Sequence, residues 1–271
     1  MVVLRGLRYR FGFVGPARSA LEKVALTSFA STVYMTKDHL IPAARQPQSR
    51  DTAVEPKRRD SFYVRHMKMV LDFIAALVGL VLVSPLLAVC AVAVRLDSKG
   101  PVFFRQWRVG QNGKLFQLVK LRTMVDKAEQ MGSKITASGD ARMTRVGRWL
   151  RKTKIDEVPQ LWNVVLGEMS LVGPRPEVPE YVALYVSHQR RVLSFRPGMT
   201  GPASLAYVDE ERLLSGHAGK ENFYVKTLML RKLDLDLVYC QRVGLLEDLR
   251  LIILTLQRLL SPGRGREVWK G

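Results

Sequence analysis

Cysteine and histidine are both scarce in this sequence. The two cysteines, Cys90 and Cys240, stand far apart in a chain of 271 residues, so neither a disulfide framework nor a paired-cysteine zinc site is expected. The four histidines are scattered, and none of their spacings is typical of a histidine metal site. The shortage of cysteine favours a reducing, cytoplasm-facing location.

Neither a glycine-rich nucleotide loop nor a cleavable leader is expected. The glycines at 110, 113, 139 and 147 form neither a dinucleotide fingerprint nor a phosphate loop with its Lys-Ser/Thr ending. Arg5, Arg8 and Arg10 interrupt the apolar residues near the start, so no cleaved signal peptide is predicted. The first of these absences argues against an ATPase or a Rossmann-type enzyme.

Acidic residues are few relative to basic ones. Asp and Glu number 24 against 43 Lys and Arg, which gives a formal charge of +19. Such a balance attracts anions, whether nucleic acid, phosphorylated metabolites or acidic lipid headgroups. No helix-turn-helix or base-stacking motif accompanies the charge, so a nucleic-acid partner is not expected.

One long apolar run is present. The sequence carries no charge from Phe73 to Val94, and as a straight helix this run would be about 33 Å long, close to the hydrocarbon thickness of a bilayer. Ser84 and Pro85 lie at its middle, where proline removes a backbone donor and clashes with the preceding turn, which predicts a kink. Residues 61–97 are therefore predicted to be a membrane segment.

The charges beside this run bear on its topology. Arg65 and Lys68 precede it, and Arg95 and Lys99 follow it. Because loops rich in Lys and Arg stay cytoplasmic, basic flanks on both sides fit a re-entrant helix that returns to the same face. A kinked helix that spans the membrane once fits these features about equally well.

The rest of the chain divides into an extension and a folded domain. Residues 1–60 mix basic, small and polar residues and predict a flexible extension, whereas residues 98–271 predict a domain with strands and helices. Asn112-Gly113 between two β-type runs predicts a hairpin, with Lys120 and Arg122 on one face. Helices are predicted from Thr144 to Lys154, over QLWNVVL with Gly167 at its end, and from Arg250 to Leu260.

Two adjacent carboxylates, Asp156 and Glu157, precede Pro159, which suits the first turn of a helix. Acidic residues at a helix start accept hydrogen bonds from free amides and complement the dipole, so capping alone explains the pair. The same surroundings keep a carboxylate ionised, as a phosphoryl-transfer nucleophile or a Mg²⁺ ligand must be. Spacing alone permits either carboxylate to attack and either to bind the metal.

Three arginines accompany these carboxylates. Arg151 lies five residues before Asp156, and Arg175 is fixed between Pro174 and Pro176. A planar guanidinium on a restrained backbone matches phosphate oxygens, so Arg175 is a candidate diphosphate clamp, with a rigid turn as the alternative. Arg196, in a second Arg-Pro turn, has the same two interpretations, of which we favour the structural one.

At these residues the chain, from about Lys68 to Leu260, resembles the bacterial sugar transferase family, the monotopic polyprenyl-phosphate phosphoglycosyltransferases. The resemblance rests on the Ser-Pro break and on four longer stretches. These are GPVFFRQWRVGQNGKLFQLVKLRTM, GDARMTRVGRWLRKTKIDEVPQLWNVVLGEMSLVGPRPE, RPGMTGP and LDLDLVYCQRVGLLEDLRLIILTL.

The resemblance implies an α+β, mainly helical fold, with a re-entrant helix broken at Ser84-Pro85 and a small cytoplasmic catalytic domain carrying a β-hairpin and interface helices. It implies transfer of a sugar-1-phosphate from a UDP-sugar to undecaprenyl phosphate, with release of UMP. Asp156 is then the nucleophile and Glu157 its partner, and Mg²⁺ is the expected cofactor. Candidate ligands of the metal are Glu157, Asp156 and Asp248; candidate binders of the phosphates or nucleotide are Arg151, Arg175, Pro174, Pro176, Lys120, Arg122 and Arg196.

The implied location is the cytoplasmic face of the bacterial inner membrane, at the first membrane step of exopolysaccharide, capsule or other glycan synthesis. The implied partners are a UDP-sugar, undecaprenyl phosphate and membrane lipids, with a homodimer left open. The run TGPASLAYVDEERLLSG, from Thr200 to Gly216, departs from the Trp-Ala-Gln-Val-Asn that many members carry, and so leaves the sugar open. The alternative function is a membrane-tethered basic scaffold that binds anionic lipid or polymer.

Overall fold

The computed structural model describes residues 62–131, 136, 138–217 and 219–260. The predicted extension, residues 1–60, lies outside this part of the chain. The strands are β1 (Phe103–Val109), β2 (Leu115–Leu121), β3 (Ser170–Val172) and β4 (Gly198–Thr200). The α-helices are α1 (Lys68–Asp97), α2 (Arg145–Thr153), α3 (Leu161–Val165), α4 (Pro179–Val182), α5 (Pro202–Ala206), α6 (Glu210–Ser215), α7 (Lys220–Phe223), α8 (Met229–Arg242) and α9 (Leu245–Leu260).

Helix α1 contains the uncharged run from Phe73 to Val94 and is continuous through Pro85. The break that we expected at Ser84-Pro85 therefore does not end the helix. The Ser84 hydroxyl donates to the Val81 carbonyl at 2.8 Å, a contact within the turn that precedes the proline. The re-entrant topology stays a prediction.

One stripe of α1 packs against the rest of the protein, and the remainder is exposed. The stripe contains Lys68, Asp72, Ala76, Cys90 and Val94, whose spacing places them along one side of the helix. The other sides expose large apolar residues such as Val81, Leu82, Val89 and Leu96. Within the described residues, α1 is the helix long and apolar enough to cross a membrane. A continuous apolar surface of this kind is typical of contact with lipid.

The predicted hairpin is confirmed. Strands β1 and β2 pair antiparallel, with Phe103 opposite Leu121 and Val109 opposite Leu115. The turn is a 3₁₀ segment, Gln111–Gly113, in which Asn112 has a φ of 56°. Asparagine tolerates this left-handed conformation, which explains why Asn-Gly was an informative signal.

The predicted helices are confirmed in outline, with one refinement. Helix α2 ends at Thr153, and a 3₁₀ helix, Ile155–Gln160, leads directly into α3. Asp156 and Glu157 lie in the first turn of the 3₁₀ helix. The predicted apolar helix near the end of the chain corresponds to the second part of α9.

A second sheet was not predicted, since its strands are only three residues long. Strands β3 and β4 pair parallel, with Ser170 opposite Gly198. The two backbones approach closely because Gly198 begins β4 and Gly173 directly follows β3. A Cβ on Gly198 would lie 2.1 Å from the backbone nitrogen of Gly173, so neither position has room for a side chain. This contact fixes the start of the segment Gly173–Pro176.

A buried polar cluster joins the start of α1 to α8 and α9. We call Tyr63, Lys68, Asp72, Tyr239 and Asp248 the junction cluster. The Asp248 carboxylate accepts hydrogen bonds from Lys68 Nζ and from the hydroxyls of Tyr63 and Tyr239, the last two at 2.6 Å. Asp72 Oδ2 accepts from the Ser170 hydroxyl at 2.7 Å. The cluster thereby connects α1 to strand β3.

Candidate functional site

A cleft of about 770 Å³ opens between the hairpin, the 3₁₀ helix and the helices α5, α6 and α9. Four of its cationic side chains are Lys120, Arg151, Lys154 and Arg175. Asp156 and Glu157 lie among them, so the structure brings together both predicted catalytic carboxylates and three of the predicted phosphate-binding cations. One wall is apolar and is formed by Leu171, Met199, Ile252, Leu256 and Leu259.

Asp156 is positioned by a sharp change of backbone direction. Lys154 ends α2 with a φ of 59°, and the chain then turns into the 3₁₀ helix that carries the carboxylates. The Asp156 side chain is buried, and its Oδ1 accepts no hydrogen bond within the described part of the chain. Burial and the neighbouring charge of Glu157 raise the pKa of Asp156 to about 6. A buried carboxylate oxygen without a donor is costly and is available to a ligand or a reacting atom.

Glu157 differs from Asp156 because cations surround it. Arg175 donates to both of its oxygens, at 2.8 and 3.4 Å, and Lys120 Nζ lies 3.7 Å from Oε1. Burial alone would raise the pKa of Glu157, but Arg175 and Lys120 hold it well below its usual range. Glu157 is therefore ionised and mainly fixes the positions of these two cations.

Lys120 projects from β2 toward the two carboxylates. Burial lowers its pKa to about 8, against the opposite effect of Glu157, and Arg175 and Arg108 add to the lowering. The ammonium group remains mostly charged at neutral pH. It is therefore suited to stabilise a phosphate oxygen near Asp156.

Arg175 is held through its backbone as well as its side chain. The buried Asp236 of α8 accepts hydrogen bonds from the backbone N–H groups of Arg175, at 3.1 Å, and Ala203, at 3.4 Å. Burial raises the pKa of Asp236 to about 7 even though both amides and nearby Lys232 and Arg175 oppose the shift. Sequence reasoning missed Asp236. Its signal was an acidic residue on the buried stripe of α8, which contains Met229, Lys232, Leu233, Asp236 and Tyr239.

Arg151 is fixed by two partners at the mouth of the cleft. Its Nε donates to the Thr123 hydroxyl at 2.9 Å, and its Nη1 donates to Glu211 Oε1 at 2.6 Å. Thr123 is itself held by close packing against Gly147, where an added Cβ would lie 1.9 Å from the Thr123 carbonyl oxygen. Arg151 lies near enough to Asp156 to favour its charged form.

Other predicted site residues lie outside this group or have structural partners. Asp248 belongs to the junction cluster and does not line the cleft. Arg196 lies 4.0 Å from Asp72 Oδ2, also away from the cleft lining. Arg122 borders the cleft, but its guanidinium donates to the carbonyls of Ser98 and Lys99. The two prolines also act through the backbone: the Pro174 carbonyl accepts from Gly198 N–H at 2.8 Å, and the Pro176 carbonyl accepts from Arg108 at 3.1 Å.

The residues present define how a divalent cation would fit. No group of three His, Cys, Asp or Glu side chains suited to a metal ion occurs within the described residues. The predicted set of Asp156, Glu157 and Asp248 is therefore not assembled. Asp156 Oδ1 is an orphaned oxygen in the cleft, and Mg²⁺ is commonly held by one or two carboxylates together with substrate phosphates. The site fits a cation that arrives with a diphosphate.

Known proteins share the region that forms this site. The family described as bacterial sugar transferase matches residues 63–262. A UDP-glucose:undecaprenyl-phosphate glucose-1-phosphate transferase of Caulobacter vibrioides is 40% identical over 205 residues, which are 72% of this chain and 70% of that protein. An undecaprenyl-phosphate glucose phosphotransferase of Komagataeibacter xylinus is 37% identical over 198 residues, 70% of this chain and 35% of that protein.

A third relative is a UDP-N-acetylgalactosamine-undecaprenyl-phosphate N-acetylgalactosaminephosphotransferase of Aeromonas hydrophila. It is 37% identical over 174 residues, which cover 60% of this chain and 40% of that protein. The matched part is thus well under half of the last two relatives. The family match runs from the beginning of the junction cluster past the end of α9 and includes the whole cleft. The chain therefore belongs to the bacterial sugar transferase family.

Proposed function

We propose that this protein transfers a sugar-1-phosphate from a UDP-sugar to undecaprenyl phosphate, with release of UMP and formation of a lipid-linked sugar diphosphate. The observation that carries the proposal is Asp156, a buried carboxylate with an unpartnered oxygen among Lys120, Arg151 and Arg175. The relatives described above have names that state this type of reaction.

In the first step, a carboxylate oxygen of Asp156 attacks the phosphorus that bears the sugar. The bond from that phosphorus to the oxygen bridging to UMP breaks, and UMP leaves with the electron pair. A pKa of about 6 leaves Asp156 mostly ionised at pH 7 while making it a stronger base than an exposed aspartate. The product of this step is a phosphosugar covalently bound to Asp156.

In the second step, a phosphate oxygen of undecaprenyl phosphate attacks the same phosphorus and displaces the Asp156 carboxylate. Two steps let the donor and the acceptor use one site in turn. The apolar wall that includes Ile252, Leu256 and Leu259 fits an isoprenyl chain beside the phosphate group. Leu246 and Leu260, at the two ends of α9, are also exposed apolar residues.

The cations have separate tasks in this scheme. Arg175 and Lys120, fixed by Glu157, stabilise the oxygens on which negative charge develops, and Arg151, which lies near Asp156, does the same. Mg²⁺, held by Asp156 and the diphosphate, would neutralise charge that otherwise repels an anionic nucleophile. Glu157 would share its oxygens between the metal and Arg175 if it bound the cation.

The test is UMP release by purified protein in lipid nanodiscs with Mg²⁺. We expect steady turnover when a UDP-sugar and undecaprenyl phosphate are both present, and a single burst of UMP, equal at most to the enzyme, without the lipid. Denatured protein from the burst reaction should carry the phosphosugar mass on the peptide that contains Asp156. Turnover by Asp156→Asn equal to that of the original protein would disprove the assigned nucleophile.

A further inference from the structure

Helix α6 brings acidic residues into a cleft that is otherwise mainly cationic. Glu211 Oε1 accepts the hydrogen bond from Arg151 Nη1 at 2.6 Å, and Glu210 Oε2 accepts from Lys232 Nζ at 2.9 Å. Both glutamates line the cleft. They belong to the run Thr200–Gly216, where the sequence departs from the pattern common in the family. The reaction proposed above gives neither glutamate a task.

Several contacts fix α6 as a wall of the cleft. The Ser138 backbone N–H donates to the Ser215 hydroxyl at 2.9 Å and to the Glu211 carbonyl at 3.2 Å. Before the helix, the Asp209 carboxylate lies 3.6 Å from Arg258 of α9. These contacts hold the glutamates at a defined distance from the reacting carboxylate.

Within the described part of the chain, Glu211 keeps one carboxylate oxygen without a hydrogen-bond donor, unlike Glu157 and Glu177. Glu157 gives both oxygens to Arg175, and Glu177 gives one oxygen to Arg108 and the other to the Tyr224 hydroxyl. Glu211 Oε2 accepts no hydrogen bond within the described residues, and its side chain is 39% exposed, against 25% for Glu210. An ionised carboxylate oxygen of this kind accepts hydrogen bonds from hydroxyl groups.

We propose that Glu211 is a specificity-determining residue, whose Oε2 accepts a hydrogen bond from a hydroxyl of the donor sugar while Oε1 holds Arg151. The inference rests on the proposed function. The sugar is bonded to the phosphorus that Asp156 attacks, so it projects from the phosphate beside Asp156. Arg151 favours the charged form of Asp156 and donates a hydrogen bond to Glu211. Glu211 is therefore one side chain farther from Asp156 than Arg151 is.

The physical consequence is selection between sugars that differ at one hydroxyl. A polar group built to bind a substrate hydroxyl loses its partner when an analogue lacks that hydroxyl, and rejection then exceeds what shape alone supplies. A residue that served only to orient Arg151 would slow all donors by one factor, since the diphosphate is common to them.

The experiment compares kcat/KM for UMP release across UDP-glucose, UDP-galactose, their N-acetyl forms and single-deoxy analogues, in nanodiscs with undecaprenyl phosphate. Glu211→Gln keeps an acceptor for Arg151 and removes the charge; Glu211→Ala removes both. For Glu211→Gln we expect the preference for the best donor over its matching deoxy analogue to fall by about tenfold or more. The control is Glu247→Gln, which alters an ion pair with Arg250 on α9, away from the cleft, and should leave the preference unchanged.

The outcomes separate this inference from the function on which it rests. If the unaltered protein releases UMP but both Glu211 variants lose activity by the same factor for every donor, Glu211 only orients Arg151 and the inference is wrong. If the unaltered protein releases UMP from no UDP-sugar, the proposed function itself is contradicted. Melting temperatures of the variants identify any loss of folded protein, and Glu211→Asp provides a variant that retains the charge.

Discussion

Two regions of this protein bury an aspartate beside a lysine, and they use it differently. In the junction cluster, Asp248 accepts hydrogen bonds from Lys68, Tyr63 and Tyr239, so both oxygens are satisfied. In the cleft, Asp156 keeps an oxygen without a donor and has the negative charge of Glu157 next to it.

The difference teaches how a structural carboxylate can be told from a reactive one. A buried charge with matching donors holds elements together, and removal of one partner is costly. A buried charge without such donors lowers stability, and it persists at positions where chemistry requires it. Burial and a nearby lysine are common to both regions. The informative difference is whether each carboxylate oxygen accepts a hydrogen bond.

The largest effect is expected from a substitution that changes the cleft and leaves the junction cluster intact. Asp156→Asn removes the proposed nucleophile with almost no change of shape, and UMP turnover should fall by about 10³-fold or more, on the order of 4 kcal/mol. Steady-state UMP release and mass detection of the bound phosphosugar measure this loss. Asp234→Asn, assayed in the same lipid nanodiscs, provides a carboxylate control outside the cleft lining. Substantial turnover without the Asp156 carboxylate would remove the basis for treating the two aspartates differently.

The second largest effect is expected from substitutions in the junction cluster. Lys68→Met leaves Asp248 and Asp72 without their lysine, and the free energy of unfolding should decrease by about 3–5 kcal/mol. Asp248→Asn should be destabilising as well, because it leaves Lys68 with a weaker partner. The double variant should recover part of the loss, because position 248 then carries no unpaired charge and Asp72 keeps Arg196 at 4.0 Å. Thermal melting in one detergent measures all four proteins, and strictly additive losses would contradict a direct ion pair.

A third comparison sets two Arg-Pro turns against each other. Arg175→Gln removes a bidentate partner of Glu157 and a proposed donor to phosphate oxygens, so kcat/KM should fall by about 10²-fold. Arg196→Gln, at the junction cluster, should change kcat/KM for the UDP-sugar by about threefold or less and act mainly on melting temperature. Equal losses of kcat/KM in the two variants would contradict the assignment of Arg175 to the cleft and of Arg196 to the surroundings of Asp72.

The smallest expected effect is the pH dependence of stability. The pKa of Asp156 is about 6 in the folded protein and near its ordinary value of 3.8 when unfolded, so the folded state binds the proton more tightly. Stability from this group is therefore present below pH 4 and is lost as pH rises through 6. Asp156→Asn should increase the free energy of unfolding more at pH 7 than at pH 4.5, by on the order of 2 kcal/mol. Melting temperatures measured at the two pH values should show the same difference in direction. The same gain at both pH values would contradict the raised pKa.

Local signals in the sequence were sufficient for much of the fold. The Asn112 turn, α2 and the short helix around Asp156 follow from turn preferences, apolar spacing and proline position, all of which act between near neighbours. The parallel pair β3 and β4 was missed because three-residue strands carry almost no pattern, and their contact depends on two glycines 25 positions apart, Gly173 and Gly198.

The site shows the same division between local and distant information. Asp156, Glu157, Arg151 and Arg175 were identified from composition, proline spacing and family resemblance. Asp236, which holds the backbone of Arg175, comes from a helix 61 residues away in sequence, and its contact is visible only after folding. Asp248 looked equivalent to the other aspartates in the sequence because nothing local indicates which carboxylate faces the cleft.

Helix α1 is anchored at both of its ends. Lys68 and Asp72 bind the junction cluster near its start, whereas Val94 packs near its end and Asp97 accepts the Val146 N–H at 2.8 Å. A residue inserted between these anchors would rotate one end relative to the other by about 100° and shift it by about 1.5 Å, so both attachments could not persist. The length of the helix thus fixes the position of its exposed apolar surface relative to the cleft, and under the proposed function it sets how far Asp156 lies from the lipid surface.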